Sequence, residues 1–194
     1  VHGLGDRDYG LWVLLFSFAG YFGIIDQGIR PSIVRYVSRA RAARDDEELA
    51  HTIHGALLLY LVVGLLVFVA SEVLATYVPY WLRVAPDLHA IAPMLVRIVG
   101  ASIAVGLPLG VYGGVLSGLQ RYDLSNALGI VVSIVRAVGF ATVIACHGGL
   151  LGLAWMAFAV NTAGHLATFW TARRLVPEVP LLPRPVRRDV MLRI

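Results

Sequence analysis

The chain has 194 residues, of which 58% are hydrophobic and 14% charged, and its formal net charge is +4 at pH 7. An ordinary soluble domain carries about 25% charged and 45–50% apolar residues, whereas the mean hydropathy here is +0.76. This composition excludes a typical cytosolic enzyme, a disordered segment and a disulfide-built secreted domain, and it indicates a polytopic membrane protein.

Five apolar segments follow one another along the chain, and each is at least 20 residues long. A helix rises ~1.5 Å per residue, so each segment is long enough to cross ~30 Å of hydrocarbon. Membrane strands are shorter and alternate in polarity, so the sequence predicts an all-α membrane helix bundle. The segments run from about Gly10 to Ile29, Gly55 to Val78, Ile91 to Leu119, Leu124 to Cys146 and Gly149 to Ala172.

The distribution of arginine predicts the orientation of these helices. All 16 basic residues are arginines, which excludes a phosphate-binding loop that needs a lysine. If the five spans alternate across the membrane, one side holds the Arg30–His54 loop, Arg121 and the C-terminal tail. Twelve arginines lie on that side, two lie on the other side, and Arg97 and Arg136 lie within the spans. The positive-inside rule then puts the tail in the cytoplasm and the first residue outside.

The two ends of the chain predict a fragment of a longer protein. The chain starts with Val1 in a polar stretch and has no signal peptide, so an outside start implies a missing upstream helix. Four prolines between residues 177 and 185 predict an extended linker. We therefore expect residues 1–176 to be part of an N-terminal transmembrane lobe. Residues 177–194 would form a Pro/Arg-rich cytoplasmic crossover that ends at the start of a further helix.

Arg136 lies about twelve residues into a 23-residue apolar segment, near the predicted bilayer midplane. A charge at this depth is costly and usually faces a bundle interior or a wet cavity. One interpretation is a bidentate contact to an anionic substrate group. The other is a buried pair with an acid, or a hydrogen bond to an unwound carbonyl.

Arg97 lies nearer its span's end and is expected to snorkel to the outer interface, unless helix tilt makes it the cavity's outer arginine.

Two acids lie close to predicted span ends. Asp26 is followed four residues later by Arg30, a spacing that favours a helical ion pair, and Glu72 lies near the outer end of the second span. We expect both to be interfacial, with a role in ion coupling as the alternative.

Small and polar residues mark the third and fifth spans. Gly106, Gly110, Gly114 and Gly118 recur every four residues, which indicates close helix packing. Pro108 makes the same helix easy to bend, so a transport hinge is the alternative.

Asn161 and His165 lie one turn apart in the fifth span. They are predicted either to line a cavity with Arg136 or to form interhelical hydrogen bonds.

The remaining polar features predict neither a metal site nor catalysis. His51 and His54 have no evident third ligand and are expected to be surface residues at a helix start. The Arg30–His54 loop ends in an acidic run, Asp45 to Glu48, which predicts a helix end, a capped helix start and a solvated hairpin. No hydrolase or metalloprotease motif and no paired cysteines occur. We therefore expect a protein that is not an enzyme and needs no cofactor.

Three stretches resemble the polysaccharide and oligosaccharide flippases, in the superfamily that also contains multidrug exporters. Residues 3–12 (GLGDRDYGLW) and 20–29 (GYFGIIDQGI), with Arg35-Tyr36 after them, resemble that family's second helix and the basic stretch that follows. Residues 116–123 (LSGLQRYD) with Asn126 resemble its loop between helices four and five. Gln27 departs from the leucine that is common there.

The resemblance implies 12 to 14 helices in two lobes around a cavity, with this chain supplying helices two to six. It also implies a bacterial cytoplasmic-membrane transporter that moves undecaprenyl-linked glycans outward by alternating access. The implied partners are membrane lipid, the lipid-linked glycan and a missing C-terminal lobe, with no nucleic acid. The alternatives are a cation-coupled exporter of small molecules and a non-transporting scaffold for glycan assembly.

Overall fold

A computed structural model describes residues 28–81 and 91–179 of the chain. Within these ranges the protein is helical and contains no strand, which confirms the predicted all-α class. The helices are α1 (residues 28–43), α2 (Asp46–Trp81), α3 (Ala92–Gly118), α4 (Tyr122–Ala145) and α5 (Gly149–Leu175). The predicted first span, about Gly10 to Ile29, lies almost entirely outside the described residues.

Four of these helices are long and apolar enough to cross a membrane: α2 to α5. The 36 residues of α2 would extend ~54 Å, more than the ~30 Å hydrocarbon core requires. Its first turn carries Asp46, Glu47 and Glu48, so this end of the helix projects beyond the apolar region. The fold is therefore that of a multi-pass membrane protein.

The segment from Arg30 to His54, expected to be a solvated hairpin, is helical on both sides of a tight turn. Arg44 in this turn has φ 54°, and Asp45 caps α2 by accepting a hydrogen bond from the Glu48 N–H at 2.8 Å. The prediction of solvation is wrong for the inner face, where Ile33 and Leu49 are at most 1% exposed. Apolar residues at helical spacing on both helices form this buried face.

α3 is the central helix, because it packs extensively against both α2 and α5. α4 lies mainly on α5 and has one buried residue, Gly139, against which the Met156 side chain packs. The exposed residues of α4 are mostly apolar, as expected for a helix that faces lipid along much of its length.

The bundle has two ends, which we name by their connections. The basic end contains the α1–α2 turn, the α3–α4 turn and the end of α5. The opposite end contains the end of α2, the start of α3 and the α4–α5 turn. Seven of the described arginines lie at or near the basic end: Arg35, Arg39, Arg41, Arg44, Arg121, Arg173 and Arg174.

The residues after α5 pack back onto the basic end. Val176 and Val179 are 1% and 3% exposed and belong to the same apolar cluster as Ile33 and Leu49. Arg41 on α1 donates to Glu178 at 2.8 Å, and Arg173 donates to the Val179 carbonyl. The beginning of the predicted linker is therefore a packed extension of α5.

His54, expected at the surface, is 2% exposed near the start of α2. The expectation is wrong because this part of α2 belongs to an apolar cluster with residues of α1, α3 and the segment after α5. His51 lies 3.6 Å from Glu47, one turn earlier on α2. The described residues contain no group of histidine, cysteine and acidic side chains that could hold a metal ion.

Candidate functional site

An open cavity of about 420 Å³ lies between α3 and α5, and we call it the polar cavity. Its volume falls in the range of ~300–1,000 Å³ that is usual for ligand sites. α1 contributes Arg30 and α4 contributes Ser125, so four helices meet around it. Its polar side chains are Arg30, Ser102, Ser125, Asn161, His165 and Thr168.

Glycines on α3 create part of this space. Gly106 and Gly110 line the cavity, and a Cβ on Gly110 would meet no atom within 4 Å. A Cβ on Gly106 would lie 3.2 Å from Nε2 of His165. These two glycines therefore leave room for a ligand and for the polar groups of α5. Pro108 lies between them, and α3 continues through it to Gly118.

The other two glycines of the predicted stripe lie against α1 instead. A Cβ on Gly114 would be 3.0 Å from Ile33, and one on Gly118 would be 2.7 Å from Val37. The hydroxyl of Ser38 donates to the Gly118 carbonyl at 2.7 Å. The stripe is thus divided, with its first half at the cavity and its second half in close helix packing.

The polar residues of α5 meet the arginine of α4. Asn161 and His165 both line the polar cavity, and Arg136 donates from Nη2 to Oδ1 of Asn161 at 2.6 Å. Arg136 does not line the cavity itself. Its hydrogen bond to Asn161, which does, holds the guanidinium at the margin of the cavity. Its side chain is exposed on a helix that otherwise presents mainly apolar residues.

Arg97 and Glu72, singled out separately in the sequence, form an ion pair between α3 and α2. Nε of Arg97 lies 3.0 Å from Oε2 of Glu72, and the two side chains are 50% and 39% exposed. They line a second cavity of about 510 Å³, towards the opposite end of the bundle. We call it the aromatic cavity, because Phe68, Trp155 and Phe158 contribute to its wall.

Arg30 lies in the polar cavity, whereas its predicted partner Asp26 lies outside the described residues. The Arg30 guanidinium approaches α3 where there is no side chain, since a Cβ on Gly113 would be 3.0 Å from its Nη2. A role in ion coupling is the alternative that the sequence leaves open for Asp26 and Glu72. Of these two acids, the structure describes Glu72, whose carboxylate accepts a hydrogen bond from Arg97.

Sequence reasoning missed Ser102, Ser125, Thr168 and the aromatic residues Trp155 and Phe158. Thr168 continues the Asn161–His165 face at the next turn, and Ser102 precedes Gly106 by four residues. Helical spacing of small polar residues was therefore the available signal for both. The aromatic residues carried no such signal, because a tryptophan near a span end is also typical of the membrane interface.

The α3–α4 turn contains the sequence that resembles the flippase loop. Arg121 donates from Nε and Nη2 to the two carboxylate oxygens of Asp123, each at 3.0 Å. This hydrogen bonding raises the pKa of the Arg121 guanidinium above its ordinary value. Arg121 and Asp123 therefore form an ion pair at the basic end, in which the carboxylate balances the positive charge.

The described part of the chain contains four membrane-length helices, and three of them contribute to an open cavity with a partly polar lining. The protein is therefore a multi-pass membrane protein, and this arrangement fits a membrane transporter. The family model described as polysaccharide biosynthesis protein matches residues 2–188. The chain belongs to this family, which confirms the resemblance stated for the sequence. No curated protein and no solved structure matches the chain at a significant level.

Proposed function

We propose that this chain forms part of a transporter that moves lipid-linked oligosaccharide or polysaccharide precursors across a bacterial cytoplasmic membrane. In this proposal the basic end faces the cytoplasm, in agreement with the positive-inside rule. The polar cavity forms part of the substrate path, and a C-terminal lobe of the same protein completes it. Movement follows alternating access, and the chain performs no covalent chemistry.

The observation that carries the proposal is the placement of Arg136. Its described partner is a neutral amide, so the positive charge of the guanidinium is not cancelled by that partner. An exposed cation is unfavourable against lipid tails, so this face of α4 fits a wet pathway better than it fits hydrocarbon. A lipid diphosphate presents the anionic oxygens that a guanidinium binds in a bidentate fork.

The described residues give less support to a cation-coupled exporter. Such a protein needs an acid that gains and loses a coupling ion, and Glu72 is held by Arg97 at 3.0 Å. A scaffold for glycan assembly would have no use for an arginine halfway along a membrane helix. Transport of an anionic lipid-linked cargo accounts for the placement of Arg136.

The test replaces Arg136 with Ala and, separately, with Lys in the full-length protein. Arg174→Ala is the matched control, since Arg174 is exposed in the last turn of α5 and lines neither cavity. After protein amounts are shown to be equal, the leaflet that holds the lipid-linked glycan is determined. We expect cytoplasmic accumulation with Ala, partial accumulation with Lys and normal export with the control.

Normal export in both Arg136 variants would remove this residue from the mechanism. Normal export after deletion of the whole gene would overturn glycan transport and favour the exporter. A loss of export that merely followed a loss of protein would assign Arg136 a packing role.

A further inference from the structure

The aromatic cavity differs from the polar cavity in its charge balance. Arg97 and Glu72 face each other within it, so its two described charges cancel. A ligand with a net charge would be attracted by one of these groups and repelled by the other. The cavity is therefore matched to a neutral ligand.

The same ion pair has hydrogen-bonding capacity to spare. Only Nε of Arg97 and Oε2 of Glu72 are joined, which leaves the two Nη groups and Oε1 for other partners. Both side chains are partly exposed, so these atoms are accessible. A group that donates and accepts at once, such as a pair of hydroxyls, would satisfy both ends of the ion pair.

The aromatic residues add an apolar surface opposite these polar atoms. Trp155 is 48% exposed and meets Phe158 edge to face, with ring centroids 5.8 Å apart. Phe68 on α2 is 40% exposed and lines the same cavity. A sugar ring has a face of C–H groups that packs on an aromatic ring and a rim of hydroxyls that bonds to charged groups.

The two cavities are neighbours, with two lining residues in common. Ile98 on α3 and Phe158 on α5 line both of them. A ligand with a charged group joined to sugar rings that extended along α3 and α5 would have different parts in these neighbouring cavities.

We propose that the aromatic cavity is a subsite for the neutral sugar rings of the cargo, with Trp155 as the stacking surface and the Arg97–Glu72 pair as the hydroxyl-binding group. This inference rests on the proposed function, because it assumes a cargo in which a charged lipid carrier bears a glycan. It adds that the two cavities bind different parts of the cargo: the polar cavity recognises the carrier and the aromatic cavity recognises the glycan.

The experiment measures equilibrium binding of two probes to the full-length protein in lipid nanodiscs. One probe is undecaprenyl diphosphate, and the other is the lipid-linked glycan extracted from cells that make the protein. The variants are Trp155→Ala, Trp155→Phe and Glu72→Gln. Trp170→Ala is the matched control, because Trp170 is on the same helix, is 64% exposed and lines neither cavity.

We expect Trp155→Ala to weaken binding of the glycan-bearing probe about tenfold, the size of one lost aromatic contact. Binding of undecaprenyl diphosphate should not change. Trp155→Phe should retain most of the affinity. Glu72→Gln should weaken binding of the glycan-bearing probe without weakening that of undecaprenyl diphosphate, and the control should bind both probes normally.

Equal weakening of both probes by Trp155→Ala would overturn the subsite, since it would indicate a general disturbance. Unchanged binding of both probes would also overturn it and would assign Trp155 to the membrane interface. If the unmodified protein bound neither probe, the proposed function would fail together with the subsite. Failure of the subsite alone is thus distinguishable, because the unmodified protein would still bind undecaprenyl diphosphate.

Discussion

Arg136 on α4 donates a hydrogen bond from Nη2 to Oδ1 of Asn161 on α5, at 2.6 Å. The partner orients the guanidinium without neutralising it, because an amide carries no charge. Asn161 also lines the polar cavity, so the bond positions a cation at the margin of that cavity. This arrangement suits a residue that must be held in place and still attract an anion.

A first prediction follows from replacing the neutral partner with an acid. In Asn161→Asp, the new carboxylate would form an ion pair with Arg136 and cancel its charge. Affinity for undecaprenyl diphosphate should fall on the order of tenfold, since a hydrogen bond to a charged group contributes ~1.5–3 kcal/mol. Asn161→Leu serves as the comparison, because it removes the bond and leaves the charge. Its affinity should fall less, and equal affinity in Asn161→Asp and the unmodified protein would contradict the role assigned to Arg136.

A second prediction concerns the two halves of the glycine stripe. In Gly118→Ala, the new methyl group would lie 2.7 Å from Val37 and 3.0 Å from the Val34 carbonyl. Such overpacking costs ~1–3 kcal/mol, so thermal unfolding in detergent should occur at a lower temperature. Gly110→Ala is the control, because its methyl group meets nothing within 4 Å and alanine favours a helix by ~1 kcal/mol. An equal loss of stability in both variants would show that the stripe is not divided.

Hydropathy predicted the all-helical fold because a membrane imposes long uninterrupted apolar segments. The apolar segment Gly149–Ala172, for example, lies within α5, Gly149–Leu175. Hydropathy could not locate the start of α2 at Asp46, because the first turns outside the hydrocarbon are polar. The acidic run from Asp45 to Glu48 predicted this capped helix start instead, and the structure confirms it. The burial of His54 was missed for a related reason, since it depends on how segments that are far apart in the sequence pack around α2.

The sequence predicted which residues form the candidate site better than it predicted which side chains contact each other. An intramembrane arginine and a polar face on α5 are evident in the sequence, as Arg136 and Asn161 illustrate. Which side chains meet depends on helix rotation, and one sequence contains little information about rotation. Arg97 and Glu72 were for that reason interpreted as two separate interfacial residues, although they form one ion pair.

A third prediction compares two contacts that hold the residues after α5 at the basic end. Arg41 and Glu178 form an exposed ion pair, with side chains 50% and 29% exposed, so Arg41→Ala should cost at most ~1 kcal/mol. Val176 is 1% exposed, and Val176→Ala removes two buried carbon atoms, which should cost about 2 kcal/mol. Thermal unfolding of the full-length protein measures both. A larger effect for Arg41→Ala than for Val176→Ala would show that the ion pair holds this segment.

A fourth prediction tests the orientation through the single cysteine of the sequence. Cys146 follows α4 directly, and its thiol is free and exposed in the α4–α5 turn, at the opposite end from most of the described arginines. If the basic end faces the cytoplasm, as proposed from the positive-inside rule, Cys146 should face outward. A membrane-impermeant maleimide should therefore label it on intact spheroplasts, in a background without other cysteines.

The matched control combines Cys146→Ser with Ala43→Cys, which moves the thiol to an exposed position at the α1–α2 turn. This thiol should react only after the membrane is permeabilised. Labelling in the reverse order would invert the topology and place the basic end outside. In that case the proposed cargo would first meet the aromatic cavity, and the proposed contact with Arg136 would follow at a later step than initial capture.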